Sequence, residues 1–352
     1  MRNVAILGAG IGAQHAEGFA ALPDRFRIHT ICDLDSQRGQ ALASRFGAGF
    51  CADMAQVMAD PEIDIVDVCL PPHLHFSAAR QALEAGKHLL CEKPLVPSLA
   101  EVDRLAALQA RSPGRIFPVF QYRYGIGMAQ LAALTRAGLT GRAHAASLET
   151  HWDRGAGYYA VPWRGTWAGE LGGALLGHAI HIHDLACAIL GPVARLQAET
   201  ATRVNPIETE DCAAAILRME SGALVTSSVT LGAAGNLSRL RVMFEHVTVE
   251  SDHAPYGPAA LPWRFAARDP ARQARIDAVL AGVGPVATGY AGLFTAMAQA
   301  LDGNPGAEVT LDDARRSIEL VTALYEAARS GQAQSLPLDT SHPGYAGWLP
   351  KG

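Results

Sequence analysis

The feature that most limits how this chain can fold is a glycine-rich turn near its start, within VAILGAGIGAQHAEGF at residues 4–19. An apolar run predicts a strand before the turn, and a helical pattern follows it. Gly8 permits the tight turn, and Gly10 lets the backbone approach a pyrophosphate that rests on the N-terminus of the helix. Ala13 stands where a third glycine is usual, and alanine is tolerated there. The turn therefore predicts nucleotide binding by Gly8, Gly10, Ile11 and Gly12.

The first third of the chain alternates short apolar runs with helical patterns. The strand-like runs cover residues 3–7, 26–32, 63–70, 87–91 and 115–120. Helical patterns such as 36–46 and 75–86 lie between them. Near-continuous apolar strands separated by helices predict a parallel sheet covered on both faces, which is the doubly wound Rossmann arrangement. We assign residues 1–122 to this dinucleotide-binding domain.

After about residue 122 the pattern changes to successive strands with few helices between them. The strand-like segments are 142–152, 211–220, 222–232 and 237–251, with a hairpin turn at Gly222. Strands joined by short turns predict an open, mainly antiparallel sheet, so the expected fold class is α/β plus α+β. Residues 123–352 would form a substrate-binding and oligomerisation domain, with helices on one sheet face. The other face would pair subunits in a homodimer or homotetramer.

Two further patterns complete this second domain. Residues 253–287 are rich in Pro, Ala and Gly and predict an excursion off the sheet. Residues 292–303 and 311–331 predict the last two helices, and Gly331 ends the second of them.

Composition argues against several classes of partner. The formal net charge of −5 gives no electrostatic reason to expect nucleic acid or an anionic membrane surface, and the apolar runs are too short to span a bilayer. The six cysteines are scattered and form no CxxC pair, so neither a disulfide framework nor a zinc site is expected. Because glycines interrupt the N-terminal apolar stretch, it does not fit a signal peptide, and we expect a cytoplasmic protein.

An acidic residue follows the second predicted strand. Asp33, in TICDLD, lies about 20 residues beyond the glycine turn. A carboxylate at this place accepts hydrogen bonds from ribose hydroxyls and repels a 2′-phosphate, which favours NAD over NADP. Asp35 and Ser36 are equally well placed to cap the next helix. Arg38 is near enough to keep NADP as the less favoured cofactor.

A lysine and a glutamate follow another predicted strand. KHLLCEKPL, at residues 87–95, ends a buried strand with Glu92 and Lys93. Charged residues at the carboxyl edge of a parallel sheet lie where ligands bind. Lys93 is therefore expected to point into that crevice, the alternative being a surface lysine.

A histidine cluster stands in the second half, in GHAIHIHD at residues 177–184. On a regular helix His178, His181 and Asp184 share one face. Such a face could ligate zinc, but no H-E-x-x-H spacing or other His/Cys cluster completes a site, so no metal is expected. His183 points elsewhere and is expected in the core.

These segments together resemble the glucose–fructose oxidoreductase/inositol dehydrogenase (Gfo/Idh/MocA) family over nearly the whole chain. The resemblance rests on the glycine turn with His15, on Asp33, on PPHLHFSAARQALEAGKHLLCEKPL at 71–95 and on WRGTWAGELGGALLGHAIHIHDL at 163–185. It implies a two-domain NAD(P)-dependent enzyme acting on a sugar, glycoside or cyclitol. It also implies that Lys93 is the family lysine, followed by a proline that is often cis.

The chain departs from the family pattern at two places. Pro71-Pro72-His73 stands where Thr-Pro-Asn is usual, in a segment that passes the cofactor. Gly177 stands where the family has a catalytic aspartate, four residues before its histidine. We take His178 as the polar group that compensates.

The resemblance implies roles for the remaining candidates. His181 handles the hydroxyl proton, Lys93 holds or deprotonates the hydroxyl, and Asp184 orients or hydrogen-bonds the substrate. Beyond the glycine turn, the expected cofactor contacts are Asp33, Pro71, His73, His75, Glu92, Lys93 and Arg164. The expected substrate contacts are Lys93, Tyr122, His151, Trp163, Arg164, His178 and His181.

The expected function is hydride transfer between a secondary alcohol of a carbohydrate or cyclitol and nicotinamide. A first alternative is a hydrolase of the same fold that keeps NAD bound, oxidises a glycoside transiently and eliminates the aglycone. A second alternative is a non-catalytic dinucleotide-binding regulator. The regulator would explain Gly177, but it gives no reason for Lys93 and His181 to occur together.

Overall fold

The computed structural model describes residues 1–350, which divide into two compact units. The first unit contains residues 1–119 and 293–315. The second contains residues 120–292 and the described chain from 316 onward. A single continuous domain over 123–352 was expected, and the structure differs from it at 293–315.

Residues 293–315 join the first unit through partners that are distant along the chain. Phe294 stacks on Phe19 with ring centroids 4.0 Å apart. Asp302 accepts a hydrogen bond from Arg2 at 2.7 Å. The hydrophobic periodicity of the segment predicts a helix, but it does not show which distant residues the helix contacts.

The first unit is built on one sheet. Its strands are β1 (Arg2–Leu7), β2 (Phe26–Cys32), β3 (Gly49–Cys51), β4 (Ile65–Val68), β5 (His88–Cys91) and β6 (Ile116–Pro118). They lie in the order β3-β2-β1-β4-β5-β6, and every neighbouring pair is parallel. The winding reverses between β1 and β4, where sheets of this kind bind ligands at the carboxyl ends of the strands. The predicted Rossmann fold is confirmed.

Helices alternate with these strands. They are α1 (Gly12–Ala20), α2 (Ser36–Phe46), α3 (Met54–Ala59), α4 (His75–Glu84) and α5 (Leu99–Gln109), with a 3₁₀ turn at Pro72–Leu74. Asp35 caps α2 by accepting a hydrogen bond from the Arg38 amide at 3.0 Å. Because Asp35 supplies this cap, the neighbouring Asp33 is not needed for it.

The second unit is built on a larger sheet. Its strands are β7 (Ala143–Asp153), β8 (Val193–Ala201), β9 (Cys212–Met219), β10 (Leu224–Thr230), β11 (Gly232–Phe244), β12 (Val247–Glu250), β13 (Arg264–Ala267) and β14 (Gln334–Ser335). They lie in the order β13-β12-β11-β7-β10-β9-β8-β14. Neighbours are antiparallel except β7 and β10, which are parallel. A mainly antiparallel sheet is therefore confirmed.

The helices of this half are α6 (Ile126–Arg136), α7 (Ala156–Tyr159), α8 (Ile180–Leu190), α9 (Pro270–Ala281), α10 (Gly289–Leu301) and α11 (Leu311–Ser330). A 3₁₀ turn covers Gln121–Arg123, and a π-helical turn at Leu175–Ala179 runs directly into α8. The division between the two units falls inside α10 and inside α11. Within residues 1–350, no helix combines the length and apolarity needed to cross a bilayer.

Two predictions for the second sheet are wrong in detail. Segment 237–251 is two strands, because the chain turns between β11 and β12. Segment 253–287 does not leave the sheet throughout, since β13 pairs with β12 at the sheet edge before α9 begins. β13 has only four residues, which is too short to give a clear alternating pattern.

One face of the second sheet is open over its central strands. Along β9 and β10 every second residue is exposed, including Ile216 and Leu224. The residues between them are buried, as expected for a strand with one covered face. This arrangement agrees with the surface expected for subunit pairing, and the pairing itself stays a prediction.

Candidate active site

The glycine turn between β1 and α1 leaves its backbone open. Gly8 has a φ of +97°, and a Cβ there would lie 2.5 Å from the Cys69 carbonyl oxygen. A Cβ at Gly12 would lie 2.7 Å from Ile6 Cγ2, so this glycine lets α1 pack closely on β1. A Cβ at Gly10 would meet no atom within 4 Å, and no side chain caps α1. An open backbone at a helix N-terminus suits a pyrophosphate.

Asp33 lies beside this turn as a charged carboxylate. Its oxygens accept hydrogen bonds from the amides of Ala9 at 2.6 Å and Asp35 at 2.8 Å. Arg38 donates to both oxygens, at 2.9 and 3.1 Å. Burial alone would raise the pKa of Asp33, but the Arg38 guanidinium and the two amides outweigh burial and lower it. The negative charge is therefore held where a ribose hydroxyl would need an acceptor.

His15 connects α1 to the strand end that carries Lys93. It is fully buried, and its Nδ1 and Nε2 donate to Asp67 at 2.9 Å and Glu92 at 3.1 Å. Burial alone would lower the pKa of His15, but the Asp67 carboxylate and then Cys69 outweigh it and hold the pKa well above its usual range. The other Glu92 oxygen accepts from the Lys93 amide at 3.0 Å. A charged imidazolium thus braces the backbone at Lys93.

His75 holds the same strand end from the other side. Its Nδ1 lies 2.7 Å from the Pro94 carbonyl oxygen and its Nε2 lies 2.8 Å from that of Leu70. The ring is fully buried and braces this strand end, and the cofactor contact expected of His75 stays a prediction. The Lys93–Pro94 peptide bond is cis, as the resemblance implies. Pro71 and His73 lie at the exposed 3₁₀ turn before α4, and their cofactor contacts stay predictions.

One group of potential metal ligands lies in this unit. Among the described residues, His15, Asp67 and Cys69 have ligand atoms within 4.8 Å of one another. Burial, followed by the Asp67 charge, raises the pKa of the Cys69 thiol, so it stays protonated. The hydrogen bonds of His15 account for the arrangement without a metal ion. The cluster considered in the sequence, at 177–184, does not form such a group in the described chain.

His178 lies in the π-helical turn rather than in a regular helix. A π turn is wider than an α turn, so the face that a regular helix would give His178 in common with His181 and Asp184 cannot be read from an α-helical spacing here. The His178 ring is buried against Trp152 and Tyr158, with centroids 5.1 and 5.7 Å away. π-helical turns occur frequently at functional sites.

His181 lies in α8 against the 3₁₀ turn at Gln121–Arg123. Its ring stacks on Tyr122 with centroids 4.7 Å apart. The Tyr122 hydroxyl donates to the Pro255 carbonyl, and burial raises the pKa of Tyr122. Tyr122 was expected to contact substrate, but its ring supports His181 and its hydroxyl already has an acceptor. The substrate contact of Tyr122 stays a prediction, and the structure shows that its ring packs on His181.

Asp184 lies one helical turn beyond His181 and pairs with Arg123. Arg123 Nε and Nη2 donate to its two oxygens at 2.7 and 2.6 Å, and Asp184 is buried. This two-point ion pair fixes the direction of the Arg123 guanidinium. That Asp184 orients or hydrogen-bonds the substrate stays a prediction.

His183 points into the core, as expected. Its Nε2 lies 2.8 Å from the Ser227 hydroxyl of β10. Burial lowers the pKa of His183 to about 4, so the ring is neutral at physiological pH. It is a structural residue beside two functional candidates on the same segment.

A network of Arg164, Tyr158 and Glu170 lies beside His178. Arg164 stacks over the rings of Tyr158 and Trp163, at 4.0 and 4.5 Å, and donates to Glu170 at 3.2 Å. Arg164 also donates to the Tyr158 hydroxyl. Burial, followed by the Glu170 charge, raises the pKa of Tyr158. The substrate and cofactor contacts expected of Trp163 and Arg164 stay predictions. The network shows which residues fix the position of the Arg164 side chain.

The structure sets His151 apart from the other candidates. His151 and Trp152 are consecutive in β7, so their side chains point to opposite faces of the sheet. Trp152 faces His178, whereas His151 lies 3.0 Å from the hydroxyl of Ser228, which is on the open face. The expected substrate contact of His151 is therefore not supported.

Three residues of this region were not identified from the sequence. Arg154 lies over Trp152 and Tyr158, at 4.6 and 5.2 Å, and its neighbours include Asn236. Tyr158 and Glu170 complete the network described above. In the sequence, Arg154 ends the segment ETHWDR, and Glu170 precedes the Leu-Gly-Gly of GELGG. Neither segment has a residue spacing typical of a substrate-binding or cofactor-binding motif.

Family models match most of the chain. Residues 2–120 match GFO_IDH_MocA, an oxidoreductase family with an NAD-binding Rossmann fold. Residues 128–250 match the GFO/IDH/MocA C-terminal domain.

Individual relatives agree with these matches. An uncharacterized oxidoreductase, C115.03, of Schizosaccharomyces pombe is 30% identical over 221 residues, covering 59% of this chain and 58% of that protein. D-glucoside 3-dehydrogenase of Escherichia coli is 32% identical over 197 residues, 54% of each chain. The chain thus spans less than two thirds of these relatives.

A solved structure covers more of the chain. The WlbA dehydrogenase from Bordetella pertussis, crystallised with NADH and UDP-GlcNAcA, superposes with a TM-score of 0.83 at 27% identity. The match covers 96% of this chain and 99% of that one.

Proposed function

The chain belongs to the Gfo/Idh/MocA family of oxidoreductases, and we propose that it is an NAD-dependent dehydrogenase. Its substrate would be a secondary alcohol of a sugar, glycoside or cyclitol. One observation carries this proposal: within the first unit, an open glycine turn lies beside a charged Asp33, and a braced backbone presents Lys93 at the end of β5.

The first unit fits a dinucleotide. Gly8, Gly10, Ile11 and Gly12 would hold the pyrophosphate, because a Cβ at Gly10 meets nothing and a helix begins directly after it. Asp33 would accept from the adenosine ribose. When bound, the nicotinamide supplies the acceptor or donor of hydride. Glu92 and Lys93 would lie toward that end, since β5 is separated from β1 by β4 alone.

Two side chains are proposed to manage the hydroxyl proton of the substrate. Lys93 would hold or deprotonate the hydroxyl, and the imidazole of His181 would take up or return the proton. The rings of Tyr122 and Phe120 pack on the imidazole of His181, with centroids 4.7 and 6.2 Å away, and would limit its rotation.

A polyhydroxylated ring is the substrate class that suits the second unit. The partly exposed side chains of Tyr158, Trp163, Arg154 and Arg164 would combine aromatic surface for apolar C–H groups with guanidinium donors for hydroxyls. The names of D-glucoside 3-dehydrogenase and of the UDP-GlcNAcA complex support a carbohydrate.

The proposal is tested by incubating the protein with NAD and a panel of sugars, glycosides and inositols while NADH absorbance is followed. We expect net NADH formation with at least one of them. The hydrolase alternative, favoured by Gly177 in place of the family aspartate, predicts release of an aglycone without net NADH and with NAD still bound after gel filtration. If no compound gives either signal, the dehydrogenase proposal is wrong.

Subunit pairing through the open sheet face is part of the same proposal. The exposed alternate residues of β9 and β10, including Ile216, would form the interface of a homodimer or homotetramer. Light scattering of the purified protein distinguishes these states from a monomer.

Replacing Asp33 with Ser is expected to shift cofactor preference toward NADP. The substitution removes the charge that repels a 2′-phosphate and releases Arg38 from its ion pair to bind that phosphate. NAD loses the hydrogen bonds from its ribose to Asp33, and NADP gains those from Arg38 to its 2′-phosphate. Together these changes should raise the ratio of kcat/KM for NADP to that for NAD by about 100-fold. The double variant Asp33→Ser/Arg38→Ala should lose the gain with NADP. An unchanged ratio in Asp33→Ser contradicts the assignment of Asp33.

A further inference from the structure

Gly177 opens a space in the π-helical turn directly before His178. A Cβ built on Gly177 would have one neighbouring atom within 4 Å, the Glu170 Oε1 at 3.9 Å. The Gly177 φ is not among the positive values of the chain, so a larger residue is compatible with its backbone. The atom that borders the space left by the missing side chain is thus a carboxylate oxygen.

Glu170 reaches this place from the loop before the π-helical turn. Its carboxylate is buried, and Oε2 accepts from the Gly165 amide at 2.6 Å. Oε1 lies toward Gly177, where Arg164 donates to it at 3.2 Å and the Tyr158 hydroxyl lies 3.4 Å away. Oε2 closes the loop, whereas Oε1 is held by Arg164 and Tyr158 at the border of the space beside Gly177.

The charge beside Glu170 agrees with a functional acid. Arg164 pairs with this buried carboxylate, and a carboxylate oxygen can accept more than one hydrogen bond. Tyr158 contacts both Glu170 and the ring of His178. The carboxylate therefore belongs to the same cluster of side chains as the histidine segment.

We propose that Glu170 supplies the acidic group that this chain lacks at position 177, reaching the place from the preceding loop and accepting a hydrogen bond from a substrate hydroxyl. This proposal rests on the proposed dehydrogenase function. It gives to Glu170 the compensating role that the sequence assigned to His178. In this proposal the acidic group lies seven positions earlier in the chain and is connected to the ring of His178 through Tyr158.

The test removes the carboxylate at position 170 by mutation and then introduces one at position 177. Glu170→Gln keeps an oxygen for the Gly165 amide but removes the charge, so we expect kcat/KM for the alcohol to fall about 10-fold to 100-fold. NAD affinity, from fluorescence titration, and the melting temperature should stay close to wild type. Adding Gly177→Asp to Glu170→Gln should restore a substantial part of the loss, because the new carboxylate enters the same space.

Glu208→Gln is the matched control. Glu208 is exposed, and its carboxylate accepts a hydrogen bond from the Trp167 amide at 2.9 Å. Like Glu170, it therefore holds a backbone amide of the 163–170 loop. Its Gln variant should keep wild-type kcat/KM. Wild-type kcat/KM in Glu170→Gln overturns the proposal, as does a double variant that binds NAD normally yet is no more active than Glu170→Gln. Absence of dehydrogenase activity in the wild-type protein would instead overturn the proposed function, so the two failures are separate.

Discussion

Lys93→Met is expected to lower kcat for NAD reduction by about 1,000-fold, the range of a lost proton-transfer group. Met preserves the length and most of the volume of the side chain while removing the amino group. The backbone at Lys93 should keep its position, since it depends on the Glu92 carboxylate and His15 rather than on the lysine amine. Lys93 is also an expected cofactor contact, so NAD affinity should fall, but by much less than kcat; stopped-flow kinetics and fluorescence titration measure the two quantities separately.

Lys87→Met is the matched control for this loss. Lys87 is buried near the start of β5, and its ammonium donates to the carbonyl oxygens of Asp60 and Ile63 at 2.6 and 2.9 Å. Its removal leaves buried carbonyls without a donor, so the melting temperature should fall while kcat of the folded protein is retained. Equal kcat values for Lys93→Met and wild type would remove Lys93 from the mechanism.

His181→Ala is expected to have the second largest effect, a loss of turnover of about 100-fold or more with NAD affinity nearly intact. The imidazole is the proposed carrier of the hydroxyl proton, and in its absence water must take that place. The neighbouring Asp184–Arg123 pair does not depend on the ring and should persist. Steady-state kinetics at saturating NAD and substrate test this expectation.

His183→Ala separates chemistry from packing. His183 lies two residues further along α8, is buried and bonds Ser227, so its loss should destabilise the protein and leave turnover per folded molecule unchanged. If the two alanine variants lose kcat equally, the His181 effect is structural and the assignment of the proton carrier fails.

The two buried histidines of the first unit explain how the strand end at Lys93 is held. His15 acts through Glu92 on the Lys93 amide, and His75 acts on the Pro94 carbonyl. Neither was expected to have this role, since His15 entered the sequence analysis only as part of a family pattern and His75 as a cofactor contact. Both roles depend on hydrogen bonds between residues that are far apart in the chain.

Prediction from sequence was most successful where a feature depends on residues close together in the chain. The predicted span of α2 agrees with its observed bounds, Ser36–Phe46, because an Asp cap and a terminal glycine mark both ends. Prediction was least successful for short edge strands such as β13, which pair with a distant partner and have little periodic signal of their own.

The candidate site shows the same division. The sequence placed Lys93 at a strand end and His181 on a helix, since apolar periodicity locates both elements. It could not show that Asp184 pairs with Arg123, that His151 and Trp152 lie on opposite faces of β7, or that Glu170 borders the space at Gly177.

Sequence patterns alone were thus sufficient to predict the Rossmann fold class, the glycine turn, and the strand and helix that carry Lys93 and His181, but they did not identify β3 or α3. Those properties depend on local backbone conformation and on the periodicity of apolar residues. A short stretch of chain is enough to specify both. The tertiary structure decided which of the polar residues meet, through the π-helical turn, the loop that carries Glu170 and the return of residues 293–315 to the first unit. Such contacts depend on the free energy of packing segments that are distant in the chain, and no local pattern encodes it.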